Sequence, residues 1–503
     1  MMMTHPGLAD WAVFSILLAM ILLPAWFFWS PIAQHKSLPT AHFKGHLTGL
    51  VIGNLTKYPL LLFSAKLLFV GLFLLIIVAG LVGTPIAERN VATVLTWNLW
   101  WAGLIFSIFF LGSAWCAVCP WDAIAQWLVR RRLWKRAESN NSLELPVPKW
   151  LRSVWPALVM FIGLTWLELG LGITLDPYAT AMVSLLMVLL ATVSLSLFKR
   201  KAFCRYFCPV GRTVGFYSQL STVALRPIDT QRCADCLTLE CFHGSDDVEP
   251  CPTGLVMGTL TQNSYCTSCG NCTQSCPDSN VAWSFRSPSI EAISSARPHW
   301  DEAWFMISLL ALTAFHGLSM MSFWEGWMNI LAGMIGDSGQ LLVSFSIALG
   351  VTLLAIAALY CGLIAITQRI THHSFRELLA TFAFINLPLA FAYHMAHNLN
   401  HLIREGTGLS DVLANPLGVN SLPLSMMEKH ERHMTMWFSQ DVLSGLQVVL
   451  MIFGLWVAVQ VIRYRSVSIN LTSRLKLIPV LFYALLITGI HLWMLAQPMM
   501  MRM

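Results

Sequence analysis

The chain has 503 residues, of which 56% are hydrophobic and only 11% are charged. A soluble domain carries about 25% charged residues, so a row of water-exposed domains is excluded and a multi-span membrane protein is expected. The net charge of +6 comes from 31 Lys and Arg against 25 Asp and Glu, dispersed rather than gathered into a basic patch, so no nucleic-acid partner is expected.

Apolar stretches long enough to cross about 30 Å of hydrocarbon occur near 11–29, 60–82, 92–114, 154–175, 178–198, 302–322, 340–366, 378–401, 437–462 and 478–497. They predict an all-α polytopic fold of about ten transmembrane helices. The first has no basic n-region and no small-residue cleavage site, and reads as a retained helix. Basic residues in short loops set orientation. Lys36, Lys44 and Lys57 follow the first span, Arg130, Arg131, Arg132, Lys135 and Arg136 the third, and Lys199, Arg200 and Lys201 the fifth. Arg369 and Arg376 follow the seventh, and Arg463 and Arg465 the ninth. All fall on one side, so both termini are expected to face outward across a bacterial inner (cytoplasmic) membrane, with the loops 83–91, 323–339 and 402–436 external.

Of 13 cysteines, all but Cys361 lie between Cys116 and Cys276, at the short spacings of ligands rather than of a disulfide framework. Cys116-Ala-Val-Cys119-Pro120 closes the third span, and Cys204-Arg-Tyr-Phe-Cys208-Pro209 follows the fifth at the same depth. Four thiols at one interface could hold a third metal centre or form a redox-active dithiol pair. The plain alternative is that Cys-Pro ends one helix and opens the next, with inert thiols.

Between the fifth and sixth spans lies the one long polar stretch. It holds Cys233-x2-Cys236-x4-Cys241-x9-Cys251-Pro252 and then Cys266-x2-Cys269-x2-Cys272-x3-Cys276-Pro277. The second run has the spacing of bacterial two-cluster ferredoxins, in which the fourth cysteine of a run ligates the other cluster. Cluster one is then Cys233, Cys236, Cys241 and Cys276, and cluster two Cys266, Cys269, Cys272 and Cys251. Zinc knuckles share C-x2-C, but eight reciprocal cysteines with proline after each fourth exceed what zinc needs. The expected organisation is a five-helix domain over 1–200, a ferredoxin-like domain inserted on the inner side over 201–300, and a second five-helix domain over 301–503.

Trp97-Asn98-Leu99-Trp100-Trp101, Trp115-Cys116-x2-Cys119-Pro120-Trp121 and Cys204-x3-Cys208-Pro209-Val210-Gly211, leading into the two cysteine runs, resemble the membrane-bound polyferredoxins related to NapH and NosR. The resemblance covers roughly residues 50–300. It implies two [4Fe-4S] clusters and electron transfer linked to the quinone pool. The first pair departs from the family's usual C-x3-C-P, and the last five spans lie outside the resemblance.

In those spans His394, His397 and His401 share one helix face by spacing, and His316 and His491 fall at a similar depth. Five imidazoles at one level suit axial ligation of b-type haem or, with methionine, copper; rim hydrogen bonding is the bland alternative. The outer loop adds Met426, Met427, His430 and His433 as weaker copper candidates. Glu168 and Asp176 read as groups for proton passage in quinol chemistry or as a solvated helix end. The function expected is an integral-membrane relay between inner-side [4Fe-4S] clusters, the quinone pool and an outer-side redox site or partner protein. The alternative is a copper-centre maturation factor.

Overall fold

The computed structural model describes residues 4–31, 41, 42, 53, 55–131 and 140–500. Of the orienting basic residues, Lys36, Lys44, Arg132, Lys135 and Arg136 lie outside them. Each of the ten apolar stretches is helical. Eight are long and apolar enough to cross a membrane: α1 (Asp10–Trp29), α2 (Pro59–Val82), α3 (Val91–Leu111), α6 (Pro177–Leu197), α9 (Leu342–Thr371), α10 (Phe375–Arg404), α11 (Gln440–Ser468) and α12 (Arg474–Ala496). The other two are α5 (Trp155–Gly170), of 16 residues, and α8 (Trp300–Leu318), which opens on Asp301 and Glu302. Short helices α4 (Pro120–Val129) and α7 (Pro209–Tyr217) follow the two Cys-Pro pairs. The result is an all-α polytopic membrane protein. Its outward-facing side chains, such as Phe14, Ile21 and Leu68 at 67%, 68% and 63% exposure, suit lipid contact.

Prolines open several of these helices, where the missing N–H is no loss: Pro59, Pro120, Pro177 and Pro209. Asp176 caps α6 by accepting from Ala179 N at 3.1 Å, so it is a helix end and not a proton carrier. Glu168 differs from the solvated-end reading, being buried at 7% exposure. α10 is buried throughout its apolar stretch, packed by α3, α8, α11 and α12. Its backbone approaches α11 closely because Gly454 has no side chain; a Cβ there would meet Ala392 Cβ at 2.5 Å.

α1 packs on α11 and α12. The terminal strands β1 (Thr4–His5) and β5 (Met499–Met500) pair antiparallel, so the two ends of the described chain share one membrane face. On the opposite end of the bundle, β2 (Ala41–His42), β3 (Val223–Pro227) and β4 (Val281–Phe285) form a three-stranded sheet in the order β2-β4-β3, with Leu225 opposite Trp283. Val223, Leu225, Met257, Val281 and Trp283 make its core, and Cys241, Cys272 and Cys276 pack against it.

Buried charge fastens this domain to the bundle. Glu291, 1% exposed, pairs with Arg226 and Arg286, and its Oε2 accepts from Asn263 N at 2.7 Å. Arg465 of α11 donates to Ala292 O at 2.6 Å, Glu291 O at 3.0 Å and Ala296 O at 3.1 Å, satisfying carbonyls that helix geometry leaves open. Its guanidinium lies 3.4 Å from the Phe384 ring centroid. Arg465→Met strands those carbonyls and is expected to destabilise the protein by about 2–3 kcal/mol, read as a lower melting temperature in detergent and faster proteolysis near Ala296.

Candidate metal centres and the adjoining cavities

The eight cysteines of the inserted domain lie near enough for their charges to act on one another. Asp229 caps the turn Thr230–Ala234 that carries Cys233, accepting from Gln231 N at 2.8 Å. Asn280 then bridges two cysteines far apart in sequence: its Nδ2 donates to Cys233 Sγ at 3.4 Å and its N to Cys276 Sγ at 3.3 Å. That contact joins the first run to the last cysteine of the second, as reciprocal ligation requires. Burial, then the Cys276 and Cys236 charges, raises the Cys233 thiol. Cys272 is raised by burial, then by Cys269, Cys266, Cys251 and Cys241, so cysteines of both runs lie near it. Backbone N–H groups favour thiolate where they point at sulfur: Leu255 N to Cys251 Sγ at 3.3 Å and Ser268 N to Cys266 Sγ at 3.4 Å.

All thirteen cysteines are unpaired thiols, and among the described residues no three or more His, Cys, Asp or Glu converge as ligands of a single ion.

The Cys-Pro pairs form a third group. Proline pushes the preceding residue to extended backbone, and Cys119 and Cys208 adopt it with ψ 122° and 113°. Each becomes the N-cap of the next helix. Cys208 Sγ accepts from Gly211 N at 3.1 Å, at the positive end of α7. The extra residue of the second pair is absorbed by a π turn over Phe203–Phe207, closed by Cys208 N to Phe203 O at 2.8 Å. The difference between C-x2-C and C-x3-C is thus a local change of helix type.

This group is enclosed by charge that spacing did not reveal. Lys201 and Asp122 form a buried pair, Nζ to Oδ2 at 2.5 Å, and Cys204 Sγ lies 3.9 Å from Asp122 Oδ1. Arg212, 1% exposed, donates to Cys204 O at 2.8 Å and stacks 4.6 Å from the Tyr265 ring centroid. Burial, then the Cys208 charge, pushes the Cys116 thiol up to about 12, and burial takes Cys208 to about 11. Burial raises Cys119 and Cys204 well above the usual thiol range, and the four thiols add to one another's shifts. Empty, the site favours thiols; loaded, Lys201 and Arg212 offset thiolate charge. Ser113 Oγ meets Ser268 Oγ at 2.8 Å, joining this group to the Cys266–Cys269 loop.

Two cavities adjoin it. One, of about 260 Å³, is lined by Phe69, Leu72, Leu99, Trp115, Cys119 and Trp121, between α2 and α3, with Leu72, 38% exposed, at its outer rim. The other, of about 70 Å³, lies deeper and is lined by Trp101, Thr165, Glu168, Thr313, His316 and His394. Thr96, Trp100, Trp121 and Ser184 face both. Residues 94–100 of α3 form a π helix, an irregularity frequent at functional sites.

The five histidines do not converge on one point. His316 and His397 meet edge to face with ring centroids 5.2 Å apart, and His397 and His401 at 4.9 Å. His394 lies instead against Trp101 and Tyr217, whose Oη is 3.4 Å from His394 Nδ1. Tyr393 separates His491 from His397, stacking on His491 at 4.3 Å. The cavity that His316 and His394 line, about 70 Å³, has room for a few waters and is smaller than a haem macrocycle. Of the copper candidates, Met426 and Met427 are 60% and 80% exposed, and His430 is exposed on the surface helix Met426–Met434. The side chain of His433 lies outside the described residues.

The sequence matches the family of 4Fe-4S binding domains over residues 93–137 and 180–222, the segments that contain Cys116, Cys119, Cys204 and Cys208. In those two segments the chain is similar to 4Fe-4S binding, ferredoxin-like proteins. It is 32% identical over 108 residues to YccM of Escherichia coli, whose name provisionally assigns electron transport; the match covers 21% of this chain and 28% of YccM. The chain thus spans under a third of that relative. It is 26% identical over 239 residues to an uncharacterized protein of Methanocaldococcus jannaschii, covering 45% of this chain and 90% of that one. No solved structure matches.

If the three cysteine groups are separate centres, Cys272→Ser and Cys208→Ser act independently. Each is expected to remove about four iron per chain and a different EPR signal, measured after anaerobic purification. Zinc in place of iron would overturn the assignment.

Proposed function

We propose that the protein is an integral-membrane electron carrier that exchanges electrons between iron–sulfur clusters at one membrane face and a quinone dissolved in the bilayer. The observation that carries this reading is the cavity of about 260 Å³ with Cys119 in its wall and Leu72 at its lipid-facing rim. Ligand sites are concave and mostly apolar with a few polar groups, and this one offers Trp115 and Trp121 as flat apolar walls and Thr96 as a hydroxyl. A quinone head can reach it from between α2 and α3 without crossing water.

When bound, the clusters supply one-electron storage. The chain's own residues do the rest. Cys233, Cys236, Cys241 and Cys276 would hold one cluster, Cys251, Cys266, Cys269 and Cys272 the second, and Cys116, Cys119, Cys204 and Cys208 a third. Lys201 and Arg212 supply fixed positive charge beside the third set, and Asp122 orients Lys201. Positive charge close to a cluster favours its reduced form, one of the ways protein sets such potentials. The basic loops support a cytoplasmic position for the cysteine domain at a bacterial inner membrane, which would leave the Met426–Met434 helix for a partner outside.

Anaerobically purified protein is expected to carry about eight iron and eight sulfide for two clusters, or about twelve of each for three. Its EPR signals should change on addition of a short-chain quinol or quinone. Leu72→Trp fills the rim and is expected to slow that exchange about tenfold, equivalent to about 1.4 kcal/mol, while leaving iron content and dithionite-reduced spectra intact. Equal exchange in the variant would move the quinone elsewhere; none in wild type would end the reading.

A further inference from the structure

Electrons entering or leaving a quinone are accompanied by protons, and apart from Thr96, Ser184 and Cys119 the quinone cavity is walled by apolar and aromatic side chains. Its deeper neighbour is different. Glu168 and His316 face it, with Oε1 and Nδ1 4.0 Å apart, a gap one water can bridge. From His316 two more imidazoles follow in ring contact: His397 edge to face at 5.2 Å, then His401 at 4.9 Å. One helical turn beyond His401, Arg404 lines a further cavity of about 50 Å³ with Glu88, Asn98 and Arg432. That cavity is formed by loops at the end of the bundle opposite the ferredoxin sheet. α8 begins at the domain's exit with Trp300, and His316 lies 16 residues along it, about 24 Å at 1.5 Å per residue.

Burying ionisable groups in a membrane is costly, and such groups mark ion or proton pathways. Imidazole both donates and accepts and titrates near neutrality, so rings in sequence can pass protons. Other groups lie along the row. Tyr393 lies 5.9 Å from the His397 ring, Asn398 Nδ2 bonds His394 O at 2.7 Å, and Gln447 Nε2 bonds Ala396 O at 2.9 Å. Arg404 Nε bonds Asn400 Oδ1 at 3.0 Å, and His491 stands aside behind Tyr393.

We infer that Glu168, His316, His397 and His401 form a proton file connecting the quinone cavity with the membrane face opposite the ferredoxin sheet. The inference rests on the quinone reading above. Oxidation of one quinol breaks its two O–H bonds. The two electrons leave to one-electron iron–sulfur acceptors on the cysteine side, and the two protons pass by way of Glu168 to the far face; quinone reduction runs the same balance in reverse.

The test uses full-length protein in liposomes oriented by protease accessibility of the ferredoxin domain, a short-chain quinol as donor, an added soluble one-electron oxidant, and a membrane-impermeant pH dye on each side in turn. Protons are expected on the face away from the ferredoxin domain. His397→Phe and the shape-preserving Glu168→Gln should each slow turnover at least tenfold and increase its deuterium solvent isotope effect. Iron content and dithionite-reduced EPR spectra should stay unchanged, and His373→Phe, remote from the row, should match wild type. Protons released on the ferredoxin side, or turnover and isotope effect unmoved in both file variants, overturn the file while leaving the quinone reading standing. Absence of quinol oxidation in wild type overturns both.

Discussion

Everything at the metal-binding end depends on the Cys-Pro step. Proline at the first helical position forces the cysteine before it into extended backbone, and the following helix then offers open N–H groups and the positive end of its dipole to that sulfur. Cys208 shows the full device, with Gly211 N donating to its sulfur at 3.1 Å, and Cys119 has the same backbone and proline. Cys276 before Pro277 repeats the extended turn with ψ 115°, and Asn280 N donates to its sulfur at 3.3 Å. A thiol so placed can become a thiolate at the edge of a low-dielectric slab, where an unassisted one would stay protonated.

The Lys201–Asp122 pair extends that logic. An isolated ammonium or carboxylate here would be strongly penalised, and the pair is weak evidence of stability in its own right. Its position gives it meaning. Burial works against the charge of both groups, but Asp122 holds Lys201 charged, and Lys201 keeps the Asp122 carboxyl below its usual range. The ammonium is near enough to favour ionisation of both Cys204 and Cys269, one from each of two cysteine groups. One fixed cation thus serves two sites, which ties their electrostatics together.

Part of this was legible in the sequence because apolar length is a one-dimensional signal: it marked the eight helices long and apolar enough to cross a membrane, and two further helices beside them. What escaped depends on three-dimensional choices. α1 packs on α11 and α12 because a uniformly apolar helix carries no stripe to name its partner. The burial of Glu168 was hidden because its companion, His316, lies on another helix. Histidine spacing correctly put His394, His397 and His401 on α10, but could not show that Tyr393 would stand between His397 and His491, or that the cavity beside His394 would be too small for a macrocycle. The departure of Cys116-x2-Cys119 from Cys204-x3-Cys208 counted against equal roles until the π turn at Phe203–Phe207 accounted for the extra residue.

The arrangement also explains why the cavities lie where they do. A two-electron carrier that serves one-electron centres has to meet them at close range while its protons leave by a different route, since thiolate-rich surroundings would trap a proton in transit. Trp100 and Trp121 stand between the two routes, facing the cavity at Cys119 on one side and the cavity of Glu168 and His316 on the other. Indole presents an apolar body and one donor and has no acceptor for a proton. A wall of that chemistry can position an aromatic head group by stacking and still oblige its protons to go through the hydroxyls and imidazoles behind it. In the reading proposed here, separation of charge across the membrane then follows from which side of the tryptophan wall each product can cross, with no moving part required.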